Sequence, residues 1–270
     1  MTKKMYNIIS VIKNRVLLLY RQQLSLLLYS LSGKHSISRN RISDLHNIHK
    51  GKRAFIVCNG PSLRVDDLTK IYKNKDISFA SNKIQGVFSK TAWRPTYYCV
   101  FDEGYQYSLL DVMNEIPAEM KFFRDKSFIV TRNIKSPTIW LKTDGRRKLL
   151  ENPQFSDNIG NCVYTIATVT YTMLQIAVHM GIREIYIIGC DNSYGIERTK
   201  DGAIIDRGKA SYFKGSGMEK NSSVIAATWE MNIAYEYAAK YASEHGINII
   251  NATRGGYLEA FPRADFDSLF

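Results

Sequence analysis

The 270-residue sequence lacks the cysteine patterns that build zinc sites or disulfide frameworks. None of its four cysteines forms a C-x-x-C pair, and none has histidines at zinc-ligand spacing. Three lie within or at the ends of apolar runs, where buried free thiols in a reducing compartment are expected. The sequence therefore predicts reduced cysteines at Cys58, Cys99, Cys162 and Cys190.

Linker-like composition is also missing. No Ser/Gly/Pro-rich stretch, low-complexity run or fixed-period repeat interrupts the interior of the chain. With 45% hydrophobic residues, the chain can bury a full core. We therefore expect one catalytic domain over residues 46–270, preceded by an N-terminal helical arm over residues 1–45.

Acidic residues are absent from residues 1–43, which hold eight Lys or Arg. The formal net charge is +12, so only four excess positive charges remain for the rest of the chain. Arg15 and Arg21 interrupt the apolar residues of the arm, which argues against both a transmembrane helix and a signal peptide. The composition favours a basic amphipathic helix on an anionic membrane surface. Packing of the arm on the catalytic domain or on a second subunit is the alternative.

Short apolar runs alternate with helical patterns through the rest of the chain. This alternation predicts an α/β fold with a Rossmann-like, doubly wound, mostly parallel sheet. Helices are expected after Ser62 and over residues 163–180 and 223–245, and a polar, mobile loop over residues 197–221. The predicted strands cover residues 53–58, 77–81, 96–101, 127–131, 183–189 and 247–251.

A short Asn or Asp follows five of these predicted strands. Because the carboxyl ends of parallel strands meet at one edge of a sheet, these polar side chains are expected to gather there. Ligands of open α/β sheets bind at this edge. The sequence therefore predicts a binding site built from Asn59, Asn82, Asp102, Asp191 and Asn251.

The first predicted strand ends in the turn Asn59-Gly60-Pro61-Ser62. Gly60 allows a ligand close to the backbone, and Pro61 suits a first helical position. Ser62 is placed to cap the following helix, whose free N–H groups can bind an anion. The turn matches neither a P-loop nor a G-x-G-x-x-G motif, which argues against a P-loop kinase and a standard NAD site. An ordinary strand-to-helix turn is the alternative.

Two acids at strand ends, Asp102 and Asp191, are the candidate catalytic residues. Either could act as a general base, orient a sugar hydroxyl or hold a metal, although capping and turn formation are common for Asp at such positions. The D-x-D sequence at residues 265–267 is instead expected to belong to a docking tail. The remaining candidates for nucleotide or phosphate binding are Thr168, Thr170, Asn192, Tyr194, Tyr212 and Lys214.

The order and spacing of these segments resemble two related groups of proteins. One is the bacterial family named for archaeal 6-hydroxymethylpterin diphosphokinase, often encoded among surface-polysaccharide genes. The other is the Campylobacter-type sialyltransferases, and the resemblance implies their single-domain GT-A-like variant of the Rossmann-like fold. It is carried by the Asn-Gly-Pro-Ser-Leu turn at residues 59–63, by Asn82, and by the segments 168–191 and 251–263.

The sialyltransferase resemblance implies specific nucleotide contacts. It places the turn and the second strand end against the CMP part of a donor, with a threonine near the nucleotide. The residues so implied are Asn59, Gly60, Ser62, Asn82 and Thr168.

This chain departs from the sialyltransferase pattern at three positions. Asp102 stands where that family has an asparagine, and Tyr194 lies near a phosphate-binding tyrosine position without coinciding with it. The family's base is a histidine in a Ser-His-Tyr-x-Gly-His loop, and Ser216 stands at that point here. The departure either removes sialyl transfer or moves the base to Asp102 or Asp191.

These features predict a glycosyltransferase that moves an acidic sugar, sialic-acid-like or Kdo-like, from a CMP-activated donor to a surface-glycan or lipid-linked acceptor. The leaving group carries one phosphate, so no metal cofactor is required. One alternative is an ATP-dependent diphosphokinase acting on a pterin-like alcohol, which would need Mg²⁺ on Asp102, Glu103 and Asp191. A non-catalytic nucleotide-binding scaffold in glycan assembly is another.

The expected location is the cytoplasm, peripheral on the inner face of the plasma membrane, with contact through the N-terminal arm. A homo-oligomer is a further possibility. Nucleic acid is not an expected partner, because the basic arm is apolar between its charges and presents no basic face with stacking aromatics.

Overall fold

A computed structural model describes three stretches of the chain, residues 41–125, 133–216 and 225–270. Most of the predicted arm and the predicted strand at 127–131 lie outside them. Residues 41–44 are helical, and the Ile42 and Leu45 side chains are buried in the core. The described end of the predicted arm thus packs on the α/β domain. None of the described helices has the length and apolar character needed to cross a membrane.

Twelve short strands occur in the described residues. They are β1 (Arg53–Val57), β2 (Ile77–Ser81), β3 (Tyr97–Val100), β4 (Met120–Arg124), β5 (Thr138–Leu141), β6 (Thr143–Asp144), β7 (Val163–Tyr164), β8 (Glu184–Ile188), β9 (Ile196–Arg198), β10 (Ile204–Asp206), β11 (Ile225–Ala226) and β12 (Asn248–Asn251). Seven of them form a parallel sheet in the order β12-β8-β1-β2-β3-β4-β5. The predicted α/β fold with a mostly parallel sheet is therefore confirmed.

Helices cover both faces of this sheet. The first three pack on one face and the last two on the other. Within the described stretches there are also three single 3₁₀ turns, at Ile84–Val87, Arg147–Leu150 and Phe266–Leu269. The helices are α1 (Val65–Lys73), α2 (Glu103–Ser108), α3 (Leu110–Glu115), α4 (Val169–His179) and α5 (Thr228–Glu244).

Strand β1 shows why such short apolar runs form a sheet covered on both faces. Its side chains alternate: Ala54 and Ile56 belong to the core under α4 and α5, whereas Phe55 and Val57 belong to the core under α1 and α3. All four are fully buried. A strand buried on both faces reads as a continuous apolar run, which is the pattern that predicted it.

The strand order places a topological switch point beside β1. The chain runs outward from β1 through β2, β3 and β4 to β5, and then returns to form β8 on the other side of β1. The connections leave this point in opposite directions and open a crevice at the carboxyl ends of β1 and β8. The fold therefore favours a ligand site at this position.

Two predicted helices begin later than expected. Helix α4 starts at Val169 because the Thr168 hydroxyl caps it, accepting a hydrogen bond from the Thr170 N–H at 3.2 Å. The preceding β7 pairs in parallel with β6 instead of extending the helix. Similarly, α5 starts at Thr228, and β11 before it pairs with β9.

The segment predicted as a mobile loop contains regular structure in its described part. Strands β9 and β10 form an antiparallel pair, with Ile205 opposite Glu197. Residues 217–221 of that segment lie outside the described residues. Part of the polar composition of this segment therefore reflects an exposed hairpin over residues 196–206.

The C-terminal segment docks on the domain through a buried ion pair. Arg254 contacts the Asp67 carboxylate with Nε at 3.1 Å and Nη2 at 2.9 Å, and Asp67 is only 4% exposed. Asp267 accepts from the same guanidinium at 2.8 Å and from Lys70 Nζ at 2.7 Å. The docking role expected of the D-x-D sequence agrees with these contacts.

Removal of the Arg254 guanidinium should destabilise the protein. Arg254→Met keeps the apolar stem against the Phe266 ring but leaves the buried Asp67 carboxylate without its partner. We expect a loss of about 3 kcal/mol in the free energy of unfolding, measured by urea denaturation. Lys70→Met, which breaks the exposed pair with Asp267 and leaves Asp67 paired, should cost far less. Equal losses in the two variants would contradict the assignment.

Candidate functional site

Two joined cavities lie at the carboxyl edge of the sheet, at the switch point. The smaller measures about 80 Å³ and lies over the ends of β1 and β8. The larger measures about 410 Å³ and extends over the ends of β2, β3 and β4. We call the two together the cleft. The residues that line both are Asn82, Thr168, Val169, Tyr194 and Tyr212.

Ten of the predicted site residues line the cleft. Pro61, Ser62, Lys214 and Asn251 line neither of its cavities, and Lys214 is exposed. Asn251 lies outside the cleft because its buried amide is bonded to the Leu258 carbonyl and the Thr253 N–H. Ser216 is buried beside Gly86 and also lies outside the lining. The residues that the fold brings together are Asn59, Gly60, Asn82, Asp102, Thr168, Thr170, Asp191, Asn192, Tyr194 and Tyr212.

The Asn-Gly-Pro-Ser turn is fastened to the end of β8. The Gly60 N–H donates to the Gly189 carbonyl at 2.8 Å. The Ser62 N–H and hydroxyl both donate to Asp191 Oδ2, at 3.1 and 2.8 Å. A side chain at Gly60 would not fit, because its Cβ would lie 2.0 Å from Asp191 Oδ2 and 2.6 Å from the Gly189 carbonyl oxygen.

These bonds correct the predicted roles of Pro61 and Ser62. Helix α1 begins at Val65, so Pro61 is not its first residue, and Arg64 occupies the cap position without a side-chain bond. The Ser62 hydroxyl is committed to Asp191 instead. Because the amides of Gly60 and Ser62 are already bonded and a carboxylate lies beside them, the turn is a poor anion site. It serves to hold the preceding Asn59.

The amide groups of Asn59 and Asn192 are held in one orientation by neighbouring carbonyls. Asn59 Nδ2 donates to the Ser81 carbonyl at 3.1 Å. Asn192 Nδ2 donates to Asn232 Oδ1 at 2.7 Å and to the Tyr257 carbonyl at 3.4 Å. A carbonyl can only accept, so each amide nitrogen must face it, and each Oδ1 is left on the other side.

Those two Oδ1 atoms, together with Asn82 Oδ1, are buried and have no hydrogen-bond partner in the described part of the chain. All three residues line the smaller cavity. A buried unpaired amide oxygen costs about 1–3 kcal/mol, which a ligand with N–H or O–H groups would recover. This end of the cleft therefore presents hydrogen-bond acceptors.

Three non-glycine residues of the cleft adopt left-handed backbone conformations. The φ angles are +52° at Asn82, +51° at Ala167 and +51° at Asn192. Asn tolerates this region, whereas Ala pays about 1 kcal/mol for it. The Tyr98 hydroxyl donates to the Asn82 carbonyl at 2.6 Å and helps to hold that strained residue. Strain of this kind concentrates at binding sites, where the surrounding structure enforces it.

Asp102 stands at the start of α2 and lines the larger cavity. Its Oδ1 accepts a hydrogen bond from the Tyr105 N–H at 2.8 Å, which is a helix cap. Among the described residues, Oδ2 has no hydrogen-bond partner, and the side chain is exposed to the cleft. Capping therefore occupies one carboxylate oxygen and leaves the other accessible to a substrate.

Tyrosine hydroxyls line the boundary between the two cavities. The Tyr105 and Tyr212 hydroxyls are 2.8 Å apart. Burial raises the pKa of Tyr212 and of Tyr194 well above the ordinary value, so both remain protonated at neutral pH. These residues can therefore supply neutral O–H donors to an oxygen in the cleft.

The four cysteines are free thiols, as predicted, and two of them line the smaller cavity. Cys58 Sγ lies 3.3 Å from Thr170 Oγ1, and Cys190 Sγ lies 3.5 Å from the Tyr235 hydroxyl. Contact with the Cys190 thiol, followed by burial, raises the pKa of Cys58. The Cys58 thiol is therefore an uncharged part of the cavity wall at neutral pH.

Sequence reasoning missed several residues of the larger cavity. Arg124 ends β4, whose sequence Met-Lys-Phe-Phe-Arg carries charged residues within the apolar run and was not predicted as a strand. Thr172 lies on α4, where the hydroxyl of an apolar helix gave no signal. Arg198 and Glu230, which pair at 3.2 Å, lie on β9 and α5.

Two other features of the described residues bear on the site. A cavity of about 810 Å³ adjoins His46, Trp140 and His179, but none of the buried unpaired polar atoms lines it. No group of three or more His, Cys, Asp or Glu is arranged to hold a metal within the described ranges. Asp102, Glu103 and Asp191 thus do not form such a group in this structure.

A family model described as "6-hydroxymethylpterin diphosphokinase MptE-like" matches residues 33–197, more than half of the chain. The chain belongs to this family. The match confirms the first of the two resemblances and includes the cleft residues from Asn59 to Tyr194. No curated protein matches the chain.

Among solved structures, the MptE-like chain is similar to the MAf glycosyltransferase from Magnetospirillum magneticum AMB-1. The TM-score is 0.50 at 16% sequence identity, over 87% of this chain and 39% of that one. The chain thus spans about two fifths of the length of that glycosyltransferase. At this identity the likeness concerns the fold, and it agrees with the parallel α/β architecture.

Replacement of Gly60 should disrupt the turn. Gly60→Ala places a methyl group against the Gly189 carbonyl oxygen, which belongs to the backbone and has no room to move. We expect a loss of about 2–3 kcal/mol in the free energy of unfolding, measured by urea denaturation. In Gly104→Ala the new Cβ would meet only the Asp102 side chain, at 3.2 Å, so this control should keep near wild-type stability. A stable Gly60→Ala variant would show that the turn is not as tightly held as described.

Proposed function

We propose that this MptE-like protein is a glycosyltransferase that uses a CMP-activated acidic sugar. The observation that carries the proposal is the set of three buried, unpaired amide oxygens, on Asn59, Asn82 and Asn192, at the switch point of the sheet. They demand a ligand rich in N–H and O–H donors. A nucleoside with an exocyclic amine and ribose hydroxyls meets that demand.

The two parts of the cleft suit the two parts of such a donor. An edge of the nucleoside would enter the smaller cavity, against Asn59 and Thr170, and the rest of the donor would extend over β2 and β3 into the larger one. The cavities together have the size typical of small-molecule sites, since such pockets measure about 300–1,000 Å³. The phosphate would lie between them, near the hydroxyls of Tyr194 and Tyr212.

In the proposed mechanism, Asp102 is the general base. Its Oδ2 takes the proton of an acceptor hydroxyl, and the acceptor oxygen attacks the anomeric carbon while the bond to the CMP phosphate breaks on the opposite face. O–H donors of Tyr194 and Tyr212 would stabilise the single phosphate that leaves. Lys214, which is exposed outside the cleft, would reach that phosphate only if its segment moved.

Asp191 has a different role in this proposal. Its Oδ2 already accepts two hydrogen bonds from Ser62, so we assign it as a positioning residue that holds the turn carrying Asn59. This narrows the choice of base to Asp102. Asp102 also occupies the strand end next to Asn82, above the cavity where the sugar would lie.

The acceptor is proposed to be a surface glycan or a lipid-linked sugar, brought near by the basic N-terminal arm on the cytoplasmic face of the membrane. The family name supports a second candidate function, diphosphoryl transfer from ATP to a pterin-like alcohol. That reaction would draw Mg²⁺ to the acidic residues of the site, and metal dependence therefore separates the two candidates.

A thermal-shift panel with CMP, CDP, UDP, GDP and ATP, each with and without Mg²⁺, tests the donor. We expect CMP to raise the Tm without metal, because a ligand at 100 times its Kd stabilises by about 2.7 kcal/mol. Asn59→Ala and Asn82→Ala should lose the shift, whereas Asn161→Ala, in the separate 810 Å³ cavity, should keep it. A shift with ATP and Mg²⁺ alone would favour the diphosphokinase, and no shift at all would favour the scaffold.

Asp102→Asn should separate binding from chemistry. The amide keeps an oxygen that caps Tyr105 but has no basic site, so kcat for CMP release from a CMP-sugar should fall by about 10²–10⁴-fold while CMP affinity is retained. Asp191→Asn preserves an oxygen acceptor for Ser62 and should retain most of kcat. The opposite ranking of the two variants would make Asp191 the base.

A further inference from the structure

The larger cavity contains a second set of buried, unpaired atoms, and these are hydrogen-bond donors. Arg124 Nε and Thr172 Oγ1 are buried, and neither has a partner in the described part of the chain. Both residues line the cavity, and Thr172 is fully buried. An arginine Nε–H has no acceptor capacity, and burial without an acceptor is costly for a charged group. The pair therefore points to an acceptor, most favourably an anionic one, in this cavity.

The backbone at Arg124 is fixed by a buried side chain. Gln106 Nε2 donates to the Arg124 carbonyl at 3.2 Å and to the Val100 carbonyl at 3.1 Å. Gln106 is 1% exposed, so it ties the carboxyl ends of β3 and β4 together. Thr172 belongs to the first turns of α4, whose start is capped by Thr168. Both donors thus stand on rigid elements.

The position of Arg124 separates it from the nucleoside end. Asn59 follows β1 and Arg124 ends β4, and these strands are three places apart in the sheet. Adjacent strands are about 4.8 Å apart, so the two residues lie about 14 Å from each other along the edge. The two ends of the cleft therefore differ in the hydrogen-bonding groups that they present. Unpaired acceptors face the cleft near β1, and unpaired donors face it near β4.

We propose that Arg124 and Thr172 form a subsite for the anionic group of a substrate, a carboxylate in the first instance. This rests on the proposed function, because the acidic sugar of the donor would place its carboxylate at the end of the cleft that is far from the nucleoside. An acidic acceptor sugar bound in the same cavity would present the same group. The subsite makes Arg124 a determinant of specificity for acidic over neutral sugars.

Isothermal titration of the full chain with CMP and with CMP-N-acetylneuraminate tests the subsite, and free N-acetylneuraminate is then titrated onto CMP-saturated protein. The variants are Arg124→Met, which keeps the stem, and Thr172→Val, which keeps the shape. Arg198→Met is the matched control, because Arg198 lines the same cavity but is already paired with Glu230. Circular dichroism and the Tm establish that each variant is folded, and Arg124→Lys tests whether charge alone suffices.

If the carboxylate belongs to the donor, wild-type protein should bind CMP-N-acetylneuraminate about 10–100-fold more tightly than CMP, the worth of a charge-assisted hydrogen bond. Arg124→Met should abolish that difference and leave the CMP affinity unchanged, and Arg198→Met should change it by less than about threefold. If the carboxylate belongs to the acceptor, the two nucleotides should bind alike and free N-acetylneuraminate should require Arg124.

The proposal is overturned if Arg124→Met, in folded protein, changes neither the donor advantage nor the binding of free N-acetylneuraminate. It is also overturned if Arg198→Met removes the advantage and Arg124→Met does not. Arg124-dependent binding of N-acetylneuraminate without any binding of CMP would support the subsite while rejecting the CMP-sugar transferase. The two proposals therefore fail in different ways.

Discussion

The Asp191 carboxylate is the contact on which the rest of the site depends. It accepts two hydrogen bonds from Ser62 and fills the space that a side chain at position 60 would need. In doing so it joins the turn after β1 to the end of β8, the two strands that flank the switch point. The Ser81 carbonyl orients the Asn59 amide, and this turn places Asn59 within hydrogen-bond distance of that carbonyl. The Asp191 side chain thus connects the two strands at the switch point and positions the polar groups at that edge of the sheet.

The cleft differs from a P-loop or a dinucleotide-binding turn in how it treats backbone amides. Those motifs leave N–H groups free to surround phosphate oxygens. Here the amides of Gly60 and Ser62 are used within the protein, and side chains present the unpaired groups instead. Recognition by side-chain amides can be altered one residue at a time without rebuilding the turn.

Much of this arrangement was predictable from the sequence, for identifiable physical reasons. Strands such as β1 and β8 are apolar on both faces and are followed within three residues by Asn or Asp, so both the sheet and its polar edge can be predicted directly. The strand β4 was missed because Lys121 lies within it. That side chain is buried and donates to the carbonyls of Met113 and Asn114 at the end of α3, a contact that local sequence does not reveal.

Roles within the site were harder to predict than positions. Ser62 looked like a helix cap, but its partner is 129 positions away in the chain, and local rules see only near neighbours. Ala167 gave no signal, because an alanine at φ +51° is imposed by the chain around it. Arg124 depended on recognising β4 first. The missing information was in each case a long-range contact, which one sequence does not contain.

The unpaired amide oxygens also link the amount of intact protein to the concentration of its ligand. Each buried oxygen without a partner lowers the free energy of unfolding of the ligand-free protein. The free energy of unfolding of natural domains is only about 5–15 kcal/mol in total. Occupancy of the cleft returns part of that free energy and lowers the population of opened forms that proteases cleave. The number of intact molecules in a cell would then follow the concentration of the small molecule that fills the cleft, a form of control that needs no regulatory domain.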